Sequence, residues 1–209
     1  MKFGRMKRVL VLLFAMLLCV PAMAQSSPQE WLDRLNRSLG ERYAMHIYVA
    51  VGDVESVADQ YSGYFMVDGD AYYMNLGVME VYSDGKLRYE VNNERKEVTE
   101  DRVNLDAVDL LSNPTRAFDF IEGEYVVSIL SVSGDMVVLN LEPKSKDLGI
   151  SSIALTMERC SEGVLPKEIV YSYDGDVITI SLSVADASMA KLPRWDAKAY
   201  RAYDIVSFL

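Results

Sequence analysis

Histidine and cysteine, on which much enzyme chemistry depends, are almost absent from this sequence. His46 is the only histidine in 209 residues, and there are two cysteines. A serine or cysteine nucleophile normally needs a neighbouring base, and a zinc site needs clustered histidine and cysteine ligands. His46 stands in an alternating strand pattern with no catalytic motif around it. The sequence therefore predicts neither nucleophilic nor zinc-dependent catalysis, and we expect no cofactor.

Long hydrophobic runs are also missing. The run from Val9 to Val20 has 12 residues, whereas a membrane-spanning helix needs roughly 20. Basic residues precede the run and Ala22-Met23-Ala24 follows it, an order typical of a secretory signal peptide. We therefore predict cleavage after Ala24, export of the mature protein and a single domain over residues 25–209. A lipid anchor at Cys19 is the alternative, but the bulky Leu18 stands where lipoprotein processing requires a small residue.

Positive charge is scarce in the expected mature chain. Removing residues 1–24 takes away four of the 21 lysines and arginines and none of the 31 acidic residues, which leaves a net charge of −14. Such a surface disfavours nucleic acid or an anionic membrane as a direct partner. Cys160 is then the only cysteine, so an intramolecular disulfide is excluded. The fold must be stabilised by burial alone.

Near the start of the mature chain, the sequence predicts an amphipathic helix. Ser27 is a favourable N-cap, Pro28 suits the first helical position, and Glu30 can reach back to the Ser27 amide. Gly40 is expected to end the helix. Its apolar stripe consists of Trp31, Leu32, Leu35 and Leu39.

The stretch from Tyr61 to Val91 predicts four short antiparallel strands. Asp68-Gly69 and Asp84-Gly85 separate strands, because such dipeptides favour two-residue hairpin turns. The residues between the turns suit a pleated, half-buried surface. Further strands are predicted at residues 43–51, 95–99, 124–132, 136–141, 152–158, 167–173, 176–184 and 203–209. About ten or eleven short strands indicate a sandwich or a barrel.

Between Leu105 and Ile121 the periodicity becomes that of a helix. A first short helix is predicted to end before Pro114, because the residue that precedes a proline is disfavoured in helical conformation. Asn113 and Pro114 then suit the start of a second. We expect these two apolar helices to lie across a sheet or over the mouth of a barrel.

Acidic residues flank two turn glycines, Asp68 with Asp70 and Asp174 with Asp176. Aspartate is common at such hairpin positions, so we interpret both pairs as turn chemistry. An enzyme that uses a carboxylate pair is an alternative. It would be recognised by hydrolysis of lipids or glycans that a single Asp or Glu substitution abolishes.

Methionine and tyrosine, by contrast, are plentiful, with 11 and 13 residues. Methionine is flexible and is over-represented on surfaces that accommodate ligands of varied shape. Strands that are apolar on both faces, with few helices to cover them, indicate either an apolar cavity in a curved sheet or an ordinary two-sheet core. The residues alone leave both possibilities open.

A series of motifs resembles the LolA-type carriers of outer-membrane lipoproteins. In order they are residues 83–89 (SDGKLRY), Glu97-Val98, Ser112-Asn113-Pro114, and residues 165–169 (LPKEI) ahead of the Asp174-Gly175 hairpin. The family fold is an incomplete antiparallel β-barrel closed by a short α-helical lid, which carries acyl chains across the periplasm without catalysis. The resemblance therefore implies a mainly β half-barrel and a carrier. The family's arginine that helps to hold the lid shut has no evident counterpart here.

The resemblance also implies where the ligand lies and which partners are involved. The helix at Trp31 and those between Leu105 and Ile121 would form the lid, and the four-stranded stretch would form part of the cavity wall. The expected ligands are acyl chains of lipoproteins or related lipids. The expected partners are an inner-membrane donor complex and an outer-membrane acceptor, and we expect a monomer. A lipid- or lipoprotein-sensing regulator of envelope stress is the alternative, although such regulators usually carry a further domain. The predicted lipid contacts are Trp31, Leu32, Leu35, Met45, Ile47, Val49, Phe65, Val67, Tyr72, Met74, Met79, Val81, Leu110, Leu111 and Phe118.

Overall fold

The computed structural model describes residues 26–53, 57–107, 109–118, 124–145, 149–161, 163–185 and 191–209. The predicted signal peptide lies outside these residues. Helix α1 spans Pro28–Leu39, as the sequence predicts. The Ser27 hydroxyl accepts a hydrogen bond from the Glu30 amide at 3.2 Å, and Gly40 ends the helix with φ of 64°. These local capping signals therefore fix both ends of the helix.

Twelve strands of the described chain form one sheet, in the order β12-β6-β5-β4-β3-β2-β1-β11-β10-β9-β8-β7. Neighbouring strands are antiparallel except β12, which runs parallel to β6. Among the described strands, β7 and β12 form the two edges and do not pair with each other, so the sheet is open and the prediction of a mainly β, incomplete barrel is confirmed. The strands are β1 Arg42–Asp53, β2 Val57–Asp68, β3 Ala71–Leu76, β4 Met79–Ser83, β5 Leu87–Asn92, β6 Glu97–Arg102, β7 Tyr125–Ser133, β8 Met136–Pro143, β9 Ile150–Cys160, β10 Gly163–Tyr173, β11 Asp176–Val184 and β12 Asp204–Ser207.

The hairpin turns contain the predicted glycines, but two of them are shifted by one residue. The Asp84 amide donates to the Leu87 carbonyl, so the turn between β4 and β5 consists of Gly85 and Lys86 rather than Asp84 and Gly85. Asp68 pairs with Ala71, so the turn between β2 and β3 consists of Gly69 and Asp70 rather than Asp68 and Gly69. Gly69 has φ of 59°, whereas Lys96 is the only described non-glycine residue with positive φ. A two-residue turn with glycine first needs positive φ at that position alone, which explains the shift.

Residues 104–118, which we call the cover segment, correct one prediction. The first helix expected from Leu105 is absent from the described part of the segment, which forms turns, and the only helical piece there is a 3-10 turn at Pro114–Arg116. Side chains take the backbone N–H groups that a helix would use. The Asn104 side chain accepts a hydrogen bond from the Asp106 amide, and the Asp109 side chain accepts one from the Ser112 amide, both at 2.9 Å. Ile121, the predicted end of the second helix, lies outside the described residues.

The sheet has two apolar faces. On the inner face, side chains from β1 to β4 and β7 to β11 pack with α1 and the cover segment into one large core. On the outer face, a smaller core joins β1 to β6 to the tail that begins at Leu192. Alternation along each strand produces this division: Tyr72 and Met74 of β3 face inward, and Tyr73 faces outward.

The sheet curls around the inner core. Tyr72 of β3 and Tyr171 of β10 bond to Ser112 and Leu110, which are two residues apart in the cover segment. Four strand spacings separate β3 from β10 in the sheet order, or about 19 Å if the sheet were flat. Two residues span no more than about 8 Å. Both tyrosines can reach the segment because the two halves of the sheet bend toward it.

Candidate functional site

The inner core brings together most of the residues that the sequence predicts as lipid contacts. Of the two exceptions, Leu111 is partly buried and packs against the core, and Met79 is half-buried near the β3–β4 turn. The thirteen that belong to the core are Trp31, Leu32, Leu35, Met45, Ile47, Val49, Phe65, Val67, Tyr72, Met74, Val81, Leu110 and Phe118. Their role in binding lipid stays a prediction.

Side chains from both halves of the sheet line this core, and sequence reasoning missed the second half. β8 to β11 contribute as much of the wall as β1 to β4. Their alternating apolar positions were the available signal, because residues i and i+2 of a strand share a face. The missed residues include Val137, Leu139, Leu141, Ile153, Leu155, Met157, Ile169, Tyr171, Ile180 and Leu182.

The inner core is closed where the structure describes it. The thirteen predicted residues expose at most 6% of their surface, the largest value being that of Val81. Leu32 and Leu35 of α1 and Leu110 of the cover segment belong to the same core. These side chains are therefore inaccessible to solvent while the cover segment is in place.

Three tyrosine hydroxyls tie the cover segment to the sheet. Tyr43 donates to the Pro114 carbonyl at 3.0 Å, and Tyr72 donates to the Ser112 carbonyl at 3.4 Å. Tyr171 accepts a hydrogen bond from the Leu110 amide at 3.1 Å. We call these three residues the tyrosine latches. They come from β1, β3 and β10, so the segment is held from both halves of the sheet.

Burial keeps the latches neutral. It raises the pKa of Tyr43 and of Tyr171 well above the usual tyrosine value. It also raises the pKa of Tyr72, although the nearby Arg88 guanidinium acts in the opposite direction. A neutral hydroxyl can both donate and accept, so the latches stay intact across the physiological pH range.

Asn113 holds the cover segment in its own shape. This side chain is 1% exposed. Its Oδ1 accepts from the Thr115 amide at 3.2 Å and from the Thr115 hydroxyl at 2.7 Å, and its Nδ2 donates to the Asn104 carbonyl at 3.3 Å. The Arg116 guanidinium also donates to the Leu105 carbonyl. The segment is thus a compact loop with its own hydrogen bonds, fastened to the sheet at few points.

The outer face carries an aromatic cluster that the sequence did not predict. Trp195 stacks between Tyr89 at 4.5 Å and Tyr200 at 4.9 Å, measured between ring centroids, with interplanar angles of 7° and 8°. Tyr200 packs edge-on against Tyr203. Tyr82 lies beneath them on β4. The C-terminal tail therefore packs against the outer face of the sheet at β4 and β5.

Glu80 anchors this cluster electrostatically. Its carboxylate accepts hydrogen bonds from Tyr82 at 2.6 Å, Asn93 at 2.8 Å and Tyr73 at 3.1 Å. Partial burial acts to raise the pKa of Glu80, but the hydrogen bonds outweigh it and hold the pKa below its usual value. Glu80 is therefore a structural carboxylate with its acceptor sites occupied by the protein.

His46 is the histidine that the sequence analysis considered. His46 is exposed on β1, where it lies opposite Tyr64 of β2 and Ser183 of β11. Within the same residues, no three histidine, cysteine or acidic side chains are close enough to hold a metal ion. The helix that they include is too short and too polar to cross a membrane.

No protein-family model matches this sequence, and no curated protein matches it. Solved structures do. An uncharacterized conserved protein from Thermus thermophilus is 12% identical with a TM-score of 0.50, over 86% of this chain and 98% of that chain. A LolA superfamily protein from Nitrosomonas europaea is 12% identical with a TM-score of 0.40, over 84% and 97%. LprF from Mycobacterium bovis is 12% identical with a TM-score of 0.43, over 81% and 99%.

These comparisons bear on the fold. The Thermus thermophilus protein shares its overall arrangement with this chain along nearly its whole length.

Proposed function

We propose that this protein is an ATP-independent periplasmic carrier that shields acyl chains of lipoproteins or related lipids between its curled sheet and its cover segment. The observation that carries the proposal is the tyrosine latching. A large apolar core is covered by a loop to which Tyr43, Tyr72 and Tyr171 of the sheet are hydrogen-bonded. A loop of this kind can lift without unfolding the sheet.

The energies of opening and binding are comparable. Three hydrogen bonds contribute about 3 kcal/mol together, and exposing Leu110 and Phe118 costs about 2 kcal/mol each. A palmitoyl chain that is sheltered only in part gains about 8 to 10 kcal/mol, at about 0.8 kcal/mol for each methylene. The ligand therefore offsets the opening of the cover, whereas the empty protein stays shut.

In the related carriers, an arginine helps to hold the lid shut. Here the tyrosine latches take its place in holding the cover, and they bond mainly to backbone carbonyls, with no charged partner on the cover. We therefore expect lid opening that depends little on ionic strength. Loading and release would require the proposed inner-membrane donor and outer-membrane acceptor, because binding that needs the cover to open is slow in both directions.

The test is binding of a fluorescent fatty-acyl probe to the chain without residues 1–24. Met74→Asp and Leu110→Asp place a charge in the inner core and should weaken binding by about tenfold or more, while the β circular-dichroism signal persists. Leu130→Asp is the matched control, because Leu130 of β7 is 60% exposed. It should leave probe binding unchanged.

A second variant separates the latches from the core. The double change Tyr43→Phe and Tyr72→Phe removes two hydrogen bonds and keeps both rings, so the probe should associate faster with the core unaltered. Failure of the folded wild-type chain to bind the probe would reject the carrier. Mass spectrometry of lipids that co-purify with the exported protein would identify the cargo.

A further inference from the structure

A positively charged cleft lies where the C-terminal half of α1 meets the turn between β9 and β10. It has a volume of about 470 Å³, and Arg34, Arg37 and Arg159 line it together with Ser38 and Cys160. This volume is within the range of small-molecule sites, about 300 to 1,000 Å³. The cleft is thus large enough for a lipid headgroup.

The charge of the cleft is uncompensated in the described chain. None of the described lining residues is acidic. Glu158, which precedes Arg159, pairs instead with Lys167 at 2.8 Å. Glu162, between Ser161 and Gly163, lies outside the described residues. Three guanidinium groups therefore lie together in a chain whose net charge is −10.

Trp31 positions two of the arginines. The guanidinium carbon of Arg159 lies 5.0 Å from the centre of its ring, and that of Arg34 lies 5.5 Å away. Trp31 itself is 3% exposed and belongs to the inner core. Cation–π contacts restrict both guanidinium groups, and Arg34 also donates a hydrogen bond to the Ser26 hydroxyl at 3.4 Å. The arginines are therefore ordered before a ligand arrives.

The base of the cleft is also tightly packed. The Ser38 hydroxyl accepts a hydrogen bond from the Val164 amide at 2.9 Å and donates to the Arg34 carbonyl at 2.8 Å. A Cβ on Gly163 would lie 2.1 Å from Ser38 Oγ, and Gly163 has φ of 136°. Only glycine lets α1 and β10 approach this closely. α1, which carries Arg34 and Arg37, is thereby held against β10, the strand that pairs with the one that carries Arg159.

We infer that this cleft binds the phosphate of an anionic amphiphile whose acyl chain occupies the inner core. This inference rests on the proposed function for the acyl part. Arginine binds phosphate through paired N–H donors, and three arginines line this cleft. Trp31 connects the two parts of the site, since it touches the arginines on one side and the apolar core on the other. The acylated glycerol end of a lipoprotein carries no phosphate and would leave the arginines unpaired, so the geometry selects a phosphate-bearing lipid.

The experiment compares ligands that share one acyl chain. Palmitoyl lysophosphatidic acid carries a phosphate, and monopalmitoylglycerol does not. We expect the wild-type chain to bind the phosphorylated ligand about tenfold more tightly, and raising the salt to about 1 M should reduce that preference. Arg34→Gln with Arg159→Gln should abolish the preference for the phosphorylated ligand. Arg95→Gln, at an exposed turn, is the matched control and should retain it.

Cys160 supplies a second readout inside the cleft. It is a free, partly exposed cysteine, and the phosphorylated ligand should slow its alkylation more than the neutral ligand does. Arg159→Lys keeps the charge but loses the paired donors, so it should show an intermediate preference if the double variant proves unstable.

The outcomes separate the two proposals. Equal affinity for both ligands in the wild-type chain would overturn the phosphate site and leave the carrier standing. If neither lipid binds, the carrier is rejected. Arginine-dependent binding of glycerol 3-phosphate would then support an anion site, and no such binding would reject it. If inorganic phosphate alone competes as strongly as the phosphorylated lipid, the cleft is a small-anion site and the assignment to a lipid is wrong.

Discussion

The Leu110 amide donates a hydrogen bond to the Tyr171 hydroxyl at 3.1 Å, and the two residues are 0% and 1% exposed. This hydrogen bond differs from those of Tyr43 and Tyr72, because here the tyrosine accepts from a backbone N–H group inside an apolar core. Water cannot replace the hydroxyl there unless the cover opens. Among the three latches, loss of the Tyr171 hydroxyl should therefore lower the free energy of unfolding most.

Tyr171→Phe should lower the free energy of unfolding by about 2 kcal/mol, because the Leu110 amide would be buried without a partner. Urea unfolding followed by circular dichroism measures the change. Tyr173→Phe is the matched control. Tyr173 lies on the same strand and packs against the same core, but no described hydrogen bond uses its hydroxyl. Equal losses in the two variants would show that the hydroxyl of Tyr171 does not hold the cover.

Gly63→Ala should be among the most damaging changes in the sheet, with a loss of about 3 kcal/mol or more. A Cβ at this position would lie 1.8 Å from the carbonyl oxygen of Asn75, and that atom belongs to the backbone of β3 and cannot rotate away. Thermal unfolding of the purified variant measures the effect. Gly134→Ala provides the comparison: φ is 59° but no atom lies within 4 Å, so only the backbone strain of about 1 kcal/mol applies. A smaller loss for Gly63→Ala than for Gly134→Ala would mean that β2 and β3 do not approach each other this closely at Gly63.

Alkaline pH should destabilise the protein through the latches. Burial raises the pKa of Tyr43 and Tyr171 in the folded chain, whereas unfolded tyrosines ionise near pH 10. The stabilisation is therefore complete below about pH 10 and decreases as the pH rises further, because only the unfolded state loses its protons. Urea unfolding at several values between about pH 9 and pH 12 tests this. In the double variant Tyr43→Phe and Tyr171→Phe, the free energy of unfolding should decrease less steeply with pH. An unchanged dependence on pH would contradict the role given to these two tyrosines.

Trp195→Ala should loosen the tail from the outer face. It removes two stacked ring pairs, each contributing about 1 kcal/mol, together with the buried area of the indole. We expect a loss of about 2 to 3 kcal/mol and greater susceptibility of the tail to proteolysis. Phe208→Ala is the control, since Phe208 is 64% exposed and its removal should change stability by less than about 0.5 kcal/mol. A fully stable Trp195 variant would show that the aromatic stacking is incidental.

Local signals predicted the local structure well. The N-cap at Ser27 and the glycine at Gly40 act within one turn of α1, so the sequence contains everything needed to place that helix. The strands from β2 to β5 follow for the same reason, because glycine turns and alternating residues set each hairpin by itself. The inner face of β1 was likewise readable from the alternation of Met45, Ile47 and Val49.

What the sequence did not reveal depends on partners far along the chain. β1 pairs with β11 through Met45 opposite Val184, and no pattern in either strand names the other. The outer aromatic cluster needs Trp195 to meet Tyr89, two residues that no local rule brings together. The arginine cleft likewise joins residues of α1 and β9 across the fold. The predicted helix at Leu105 failed for a different reason, since asparagine and aspartate side chains captured the amides that a helix would use.

The packing of the tail against the outer face has a consequence for biogenesis. Leu192, Trp195 and Tyr200 emerge from the ribosome, and from any export channel, after every strand that they cover. Until they arrive, the outer side of β3 to β6 presents bare tyrosine and valine to its surroundings. The nascent protein is therefore most prone to aggregation just before its last residues are delivered, and a premature stop near the end would release a chain with a complete interior and a sticky exterior.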